Sequence, residues 1–457
     1  MLSKFRTGTI RRAQSSSLKK PTKYVAPTTS SHSAFTGHAL LAAVLLTSGV
    51  SLACGDTEPY PLSAQDNVPT VSTHGESTSA QRYATPLPAV QERTTTSSQI
   101  ARANLDGQID GLLQQLRRVP QLVDVAETLI ELLLLRAQFH GTYSDFDTAD
   151  QLLAQTHARY PERTSLQRLA FDYSMATHQF QLAETQLAEL AANGQPELDR
   201  HASLDLALGR NLSRVLHYRQ ESAARVENFD TLSNLAAIEA ALGHYAAADD
   251  HYVAAAQVDT STTPYRIAWV HFQRGVMWAE MADKPEFAPV LYLAATARLS
   301  DYAVANTHLA ELELELGDQE NAIERLEALI QRSEDPEPRG LIAEALWDTR
   351  PNAAERHLDD ARSRYNTLLS THSAAFLDHG AEFFLGPGAD WERARQLALE
   401  NLSLRQGSRA YLVALRVLSE EPASHPQACL IASEASALTQ NHAVLKTTIA
   451  ELNCAEL

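Results

Sequence analysis

From about residue 100 onward, apolar residues recur three and four positions apart, and this helical rhythm is itself repeated at longer range. Ala149, Ala183, Ala248, Ala288, Ala322, Ala354, Ala394 and Ala428 follow one another at intervals of 34, 65, 40, 34, 32, 40 and 34 residues, the 65 spanning two units. Four positions after each alanine stands Leu153, Leu187, Tyr252, Tyr292, Leu326, Leu358, Ala398 or Ala432. Seven after, the set continues with Leu190, Ala255, Ala295, Leu329, Ala361 and Ala435, while Thr156 and Asn401 depart from it. These positions share one face of a helix. A period of this size predicts stacked two-helix units, because a lone hairpin buries one face and needs a neighbour to cover the other.

Three positions before the alanine, Phe146, Phe180, Tyr245 and Trp391 can plug the turn between two helices. The segments Leu242-Gly243-His244-Tyr245-Ala246-Ala247-Ala248 and Leu316-Gly317-Asp318-Gln319-Glu320-Asn321-Ala322 resemble the tetratricopeptide repeat, and Pro161, twelve residues after Ala149, matches that family's terminating proline. The resemblance implies an all-α solenoid of about nine helical hairpins over residues 125–440, wound as a right-handed superhelix. It is weakest between 197 and 226, where Leu208-Gly209 suggests a degenerate unit, and the competing expectation is an irregular helical bundle. The two 40-residue intervals predict longer turns at Asp283-Lys284-Pro285 and Gly386-Pro387-Gly388. Residues 99–124, with Leu105, Ile109, Leu112, Leu113 and Leu116 on one face of Ile100–Arg117, read as an N-terminal capping helix, and residues 441–457 as a C-terminal one.

Composition sharpens this picture. Leu, Ala and Glu dominate, as suits helices. The formal charge of −18 conceals seven cations and no acid in the first 54 residues, so the body is more acidic still. Such a body lacks the basic footprint that phosphate backbones require, which argues against nucleic acid as a partner.

The same basic stretch precedes an uncharged run from Ala39 through Leu52, too short for a spanning helix of ~20 residues, and the anatomy is that of a signal peptide over residues 1–53. Ser51-Leu52-Ala53-Cys54-Gly55-Asp56 resembles a bacterial lipoprotein box, which implies lipid attachment at Cys54 and a membrane-anchored protein of the cell envelope. Ser51-Leu52-Ala53 also suits ordinary cleavage, which would leave a secreted or periplasmic protein. Residues 54–98, rich in Ser, Thr, Pro and Gln, read as a disordered tether.

Cys429 and Cys454 remain, an even number in an exported chain. An antiparallel return near Gln440 brings them within reach of a disulfide; the alternative is two unpaired core thiols. His379 and Glu382 lie one helical turn apart and supply the sole candidate for acid/base or metal chemistry. No zinc spacing, nucleophile elbow or phosphate loop accompanies them, and neither cofactor nor metal is expected. The family resemblance implies a concave groove lined by the first helix of each hairpin, here Gln273, Met277, Glu280, Glu311, Glu315, His379 and Phe383. A partly acidic groove favours a basic or amphipathic protein segment. The reading is thus a non-enzymatic protein-binding scaffold, with an enzyme at His379 and Glu382, or a ligand-free spacer, as alternatives.

Overall fold

The computed structural model describes residues 92–438 and 442–454. Their secondary structure is entirely helical. Helix α1 (Ser98–Arg118) leads into nine consecutive hairpins. In order these are α2 (Val123–His140) with α3 (Ser144–Arg159), α4 (Thr164–Ala176) with α5 (Phe180–Ala192), and α6 (Leu198–Ala207) with α7 (Leu212–Arg225). Then come α8 (Phe229–Ala241) with α9 (Tyr245–Val258), α10 (Tyr265–Val276) with α11 (Ala288–Arg298), and α12 (Ala303–Glu315) with α13 (Gln319–Ile330). The last three pair α14 (Glu337–Leu346) with α15 (Pro351–Thr371), α16 (Ser373–Leu385) with α17 (Trp391–Leu404), and α18 (Ser408–Ser419) with α19 (His425–Leu438), before α20 (Ala443–Glu451) ends the array.

All eight periodic alanines are fully buried, and the residues four positions on are buried as well. A side chain this small lets the second helix of one hairpin lie close against its neighbours. The weak stretch at 197–226 is a complete hairpin in which Val215, 2% exposed, stands where the others carry alanine, so that the 65-residue interval spans two units. The first 40-residue unit gains its length from a π-helical turn, Met277–Met281, and the 3-10 turn Pro285–Phe287. The second differs from expectation: its extra residues lie mainly in α15, which runs for 21 residues because no Gly or Pro interrupts it. The aromatic stretch from Trp269 to Met277 is core, with Trp269, Phe272 and Met277 buried.

Gly209, Gly243 and Gly317 each follow the first helix of a hairpin with positive φ (70°, 77° and 78°), the left-handed residue that closes a helix at least cost. Gly209 has a second constraint: a Cβ there would lie 2.7 Å from the Gln406 carbonyl oxygen, across the array in the loop before α18.

That approach belongs to a larger closure. The first hairpin meets the later ones through Tyr143 Oη donating to Asp335 (3.3 Å), Glu334 N–H donating to Gly141 O (2.9 Å) and His372 Nε2 lying 2.9 Å from Asp147. Gln406 N–H donates to Leu208 O, tying the third hairpin to the ninth. At the start of α1, Ser98 Oγ and Arg102 Nη1 donate to Asp301, at 2.7 and 3.1 Å, on the turn before α12.

Of the segment expected as a tether, residues 92–97 instead pack on the body. Glu92 pairs with His271 and Arg298, and Thr96 N–H donates to Thr262 O (2.8 Å). Paired charges and a satisfied backbone fix this end. The signal peptide, Cys54 and the rest of the tether lie outside the described residues. Cys429 and Cys454 are disulfide-bonded, with Cα atoms 5.5 Å apart, and their bond clips α20 to α19. Among the described residues no helix is long and apolar enough to cross a membrane.

Candidate functional site

Because facing hairpins meet, the concave side of the array is largely filled with the chain's own side chains, and many of these are charged. Helix α16 presents Asp378 and Glu382 one turn apart on the inward face, and α18 presents Arg409 and Arg416 opposite them. Arg405, at the end of α17, donates Nη2 to Asp378 Oδ2 at 2.8 Å and Nε to Asn401 Oδ1 at 3.0 Å. Arg409 donates to Glu382, and its Nε lies 3.8 Å from Asp378; Arg416 stands 3.8 Å from Glu382. Burial pushes the Asp378 carboxyl upward, but Arg405, His379 and Arg409 outweigh it and hold the group well below the usual carboxylate range. Burial also pushes His178, beside Arg405, down to about 3, so its ring is neutral at pH 7.

Six of the seven residues assigned to a partner groove are buried in this interior; Glu315, at the end of α12, is exposed. Glu280 and Glu311 both face His308, at 3.3 and 3.8 Å. His379 lies 3.8 Å from Glu337 on α14, whereas its expected companion Glu382 is held by arginines of α18, so each already answers to a different charged group. Phe383 stacks on Tyr365 at 4.6 Å inside a hydrophobic cluster. The groove expected from the repeat register is therefore interior surface, its side chains turned toward those of neighbouring hairpins.

Gln273, Met277 and Glu280 do share one feature with solvent access. They line a half-enclosed cavity of about 140 Å³ where the ninth hairpin closes on the third, fourth and fifth. Its walls are mostly apolar, built by Leu206, Ala207, Ala237, Ala240, Val276 and Leu412. Arg409 on α18 and His442, just before α20, also line it. The π-helical turn contributes Met277, Glu280 and Met281, a local widening of the helix that recurs at functional sites. Arg405, Arg409, Asp378 and His442 were not legible as interior residues; the one trace was Asn401, polar where the repeat asks for a small apolar side chain. Among the described residues no group of His, Cys, Asp and Glu is arranged to hold a metal ion.

No family model and no curated protein matches the sequence. Among solved structures the chain is similar to the Cut9–Hcn1 hetero-tetramer of the APC/C, at 13% identity over 76% of this chain and 67% of that one, with a TM-score of 0.41. It is similar also to yeast Tom70, at 12% identity, 78% and 86% coverage and a TM-score of 0.30. The TPR domain of P58(IPK) stands at 13% identity, 78% and 95% coverage and a TM-score of 0.24. Likeness this distant carries no argument about partners or chemistry, and the functional reading rests on the chain's own residues.

Proposed function

We propose that this chain is a non-enzymatic binding scaffold, exported and held at a bacterial cell envelope by lipid on Cys54. With the concave side filled, partner contact falls to the outer edges of the array. The observation that carries the reading is an apolar edge with an acidic rim. Leu316 and Trp347 are 61% and 45% exposed, and of the four tryptophans only Trp347 is exposed. They stand on the turns of the sixth and seventh hairpins, which the Gln319 side chain ties together through the Ala345 carbonyl. Around them Glu315, Asp318, Glu320 and Asp348 are all exposed. An amphipathic segment with basic flanks fits such a surface: the apolar pair supplies contact, Trp being the commonest kind of anchor, and the acids steer the encounter. Acid/base chemistry at His379 and Glu382 draws no support from the geometry, since both are engaged by structural partners.

Affinity capture from envelope membranes tests the edge. The protein recovered by the wild-type chain is expected to bind at least tenfold more weakly to the Leu316→Ala/Trp347→Ala variant, because truncating a central aromatic anchor typically costs about 2 kcal/mol or more. Equal recovery by both would remove this surface from the reading. Anchoring is tested separately: Cys54→Ser is expected to move the protein from the membrane to the soluble fraction, and retention in the membrane would reject lipid attachment at that position.

A further inference from the structure

Cys429 and Cys454 are both half-buried, so their disulfide lies at the margin of the array and not in its core. The exposed residues of α19 around Cys429, which are Pro426, Leu430 and Ser433, carry no charge, and an incoming thiolate meets no repulsion from them. One turn before Cys429 on the same helix, His425 places Nε2 3.6 Å from the Cys429 sulfur. An imidazole N–H in that position donates to the sulfur, and it stabilises the thiolate formed when the bond breaks. Among the described residues no hydrogen bond reaches the Cys454 sulfur. The two sulfurs are therefore unequal, since the better stabilised thiolate leaves faster: attack falls on Cys454 and Cys429 departs.

Opening the bond also has a defined structural consequence. Helix α20 is held after its last turn by the disulfide, at its start by Ala443 N–H donating to Tyr245 Oη at 3.4 Å, and between them by Leu445 and Leu452 packed on α18. Tyr245 Oη in turn donates to Met281 O at 2.8 Å, at the end of the π-helical turn, and His442, just before α20, lines the cavity beside that turn. Reduction removes the one covalent hold and leaves α20 to its packing and a single long hydrogen bond. We infer that the Cys429–Cys454 disulfide is a thiol–disulfide exchange site for a dithiol reductant, with His425 stabilising the departing Cys429 thiolate, and that its reduction frees α20 while the hairpins stay folded. One thiolate of the reductant attacks Cys454 Sγ, the S–S bond breaks, and a mixed disulfide forms as Cys429 leaves and takes up a proton. The second thiolate of the reductant then attacks the reductant's own sulfur in that mixed disulfide, which closes the reductant's disulfide and releases Cys454 to take up the second proton. Two electrons pass from the dithiol to the protein, and the two protons lost by its thiols end on Cys429 and Cys454. This site is separate from the Leu316–Trp347 edge and stands or falls independently of it.

Dithiothreitol serves as the dithiol, and alkylation followed by mass spectrometry counts the free thiols of the full chain with time, both in native buffer and in urea. The native chain is expected to be reduced at a rate within about a hundredfold of that of the urea-unfolded chain, with far-UV circular dichroism unchanged. Hydrogen exchange across Ala443–Glu451 is expected to be faster in the reduced chain than in the oxidised one. His425→Ala is expected to slow reduction of the native chain about tenfold and to leave the rate in urea unchanged, because the imidazole is held beside the sulfur only in the folded helix. His425→Lys, which returns a cationic donor to the same position, is expected to recover most of that loss. Native reduction more than about a hundredfold slower than reduction in urea overturns the inference, since the bond then opens only as the chain unfolds. So does a His425→Ala chain reduced as fast as wild type in native buffer, or unchanged protection of α20 after reduction.

Discussion

Asp378→Ala is expected to remove about 3–5 kcal/mol from the free energy of unfolding, because it leaves the Arg405 guanidinium buried without its carboxylate. Asp378 is 2% exposed and Arg405 is 4% exposed, so water cannot take the place of the lost partner. Urea unfolding followed by far-UV circular dichroism measures the loss. Asp378→Ala/Arg405→Met, which removes the stranded charge and keeps its volume, is expected to regain most of it. A single variant within about 1 kcal/mol of wild type would show that the pair contributes little to stability. The same carboxylate predicts a pH dependence. Its folded pKa is depressed, chiefly by Arg405 against the opposing effect of burial, so its stabilisation is complete above the unfolded value of about 3.9 and is lost as pH falls below that. Wild type is therefore expected to lose stability more steeply below about pH 4 than Asp378→Asn, which has nothing to protonate there.

Cys429→Ser is expected to cost about 3 kcal/mol, concentrated in the last hairpin and α20. The bond closes a loop of 25 residues, and constraining the unfolded chain over that length is worth this much in chain entropy. The effect is local because the bond joins α20 only to α19, its neighbour in the chain. Leu445 and Leu452 of the capping segment pack against Tyr411, Leu412 and Leu415 of α18, and this packing, with the Ala443 N–H donated to Tyr245 Oη, then has to hold the end. Native-state hydrogen exchange reads the outcome: protection across Ala443–Glu451 is expected to fall about a hundredfold, with the first six hairpins unchanged. Unchanged protection of α20 would show that the disulfide is redundant with the packing around it.

The parts of this protein that depend on neighbours about 34 residues apart were legible in the chain. Each small residue at Ala149, Ala183 or Ala322 meets the adjoining helix directly, so periodic burial leaves a periodic mark, and even Val215 keeps the register where the family pattern fades. The turn glycines and the aromatic plugs belong to the same local grammar, in which a residue's type answers to the few residues around it. The length of α15 was less legible, since a helix that simply continues leaves no mark of its own.

What only the tertiary structure decided is the closure of the array. Whether Gly209 meets Gln406, or Tyr143 meets Asp335, depends on the rotation summed over five or six hairpins, and a small change in each step moves the meeting point to other residues. No short-range pattern encodes that sum. Asp378, Arg405 and Arg409, whose charge suits a solvated helix face, pair with one another between adjoining hairpins, and the wall that helps to bury them, with His178 beside Arg405, comes from another part of the chain. Sequence alone determined the hairpins and their order; the angle accumulated between them determined that the concave side is an ionic interior in place of an open groove.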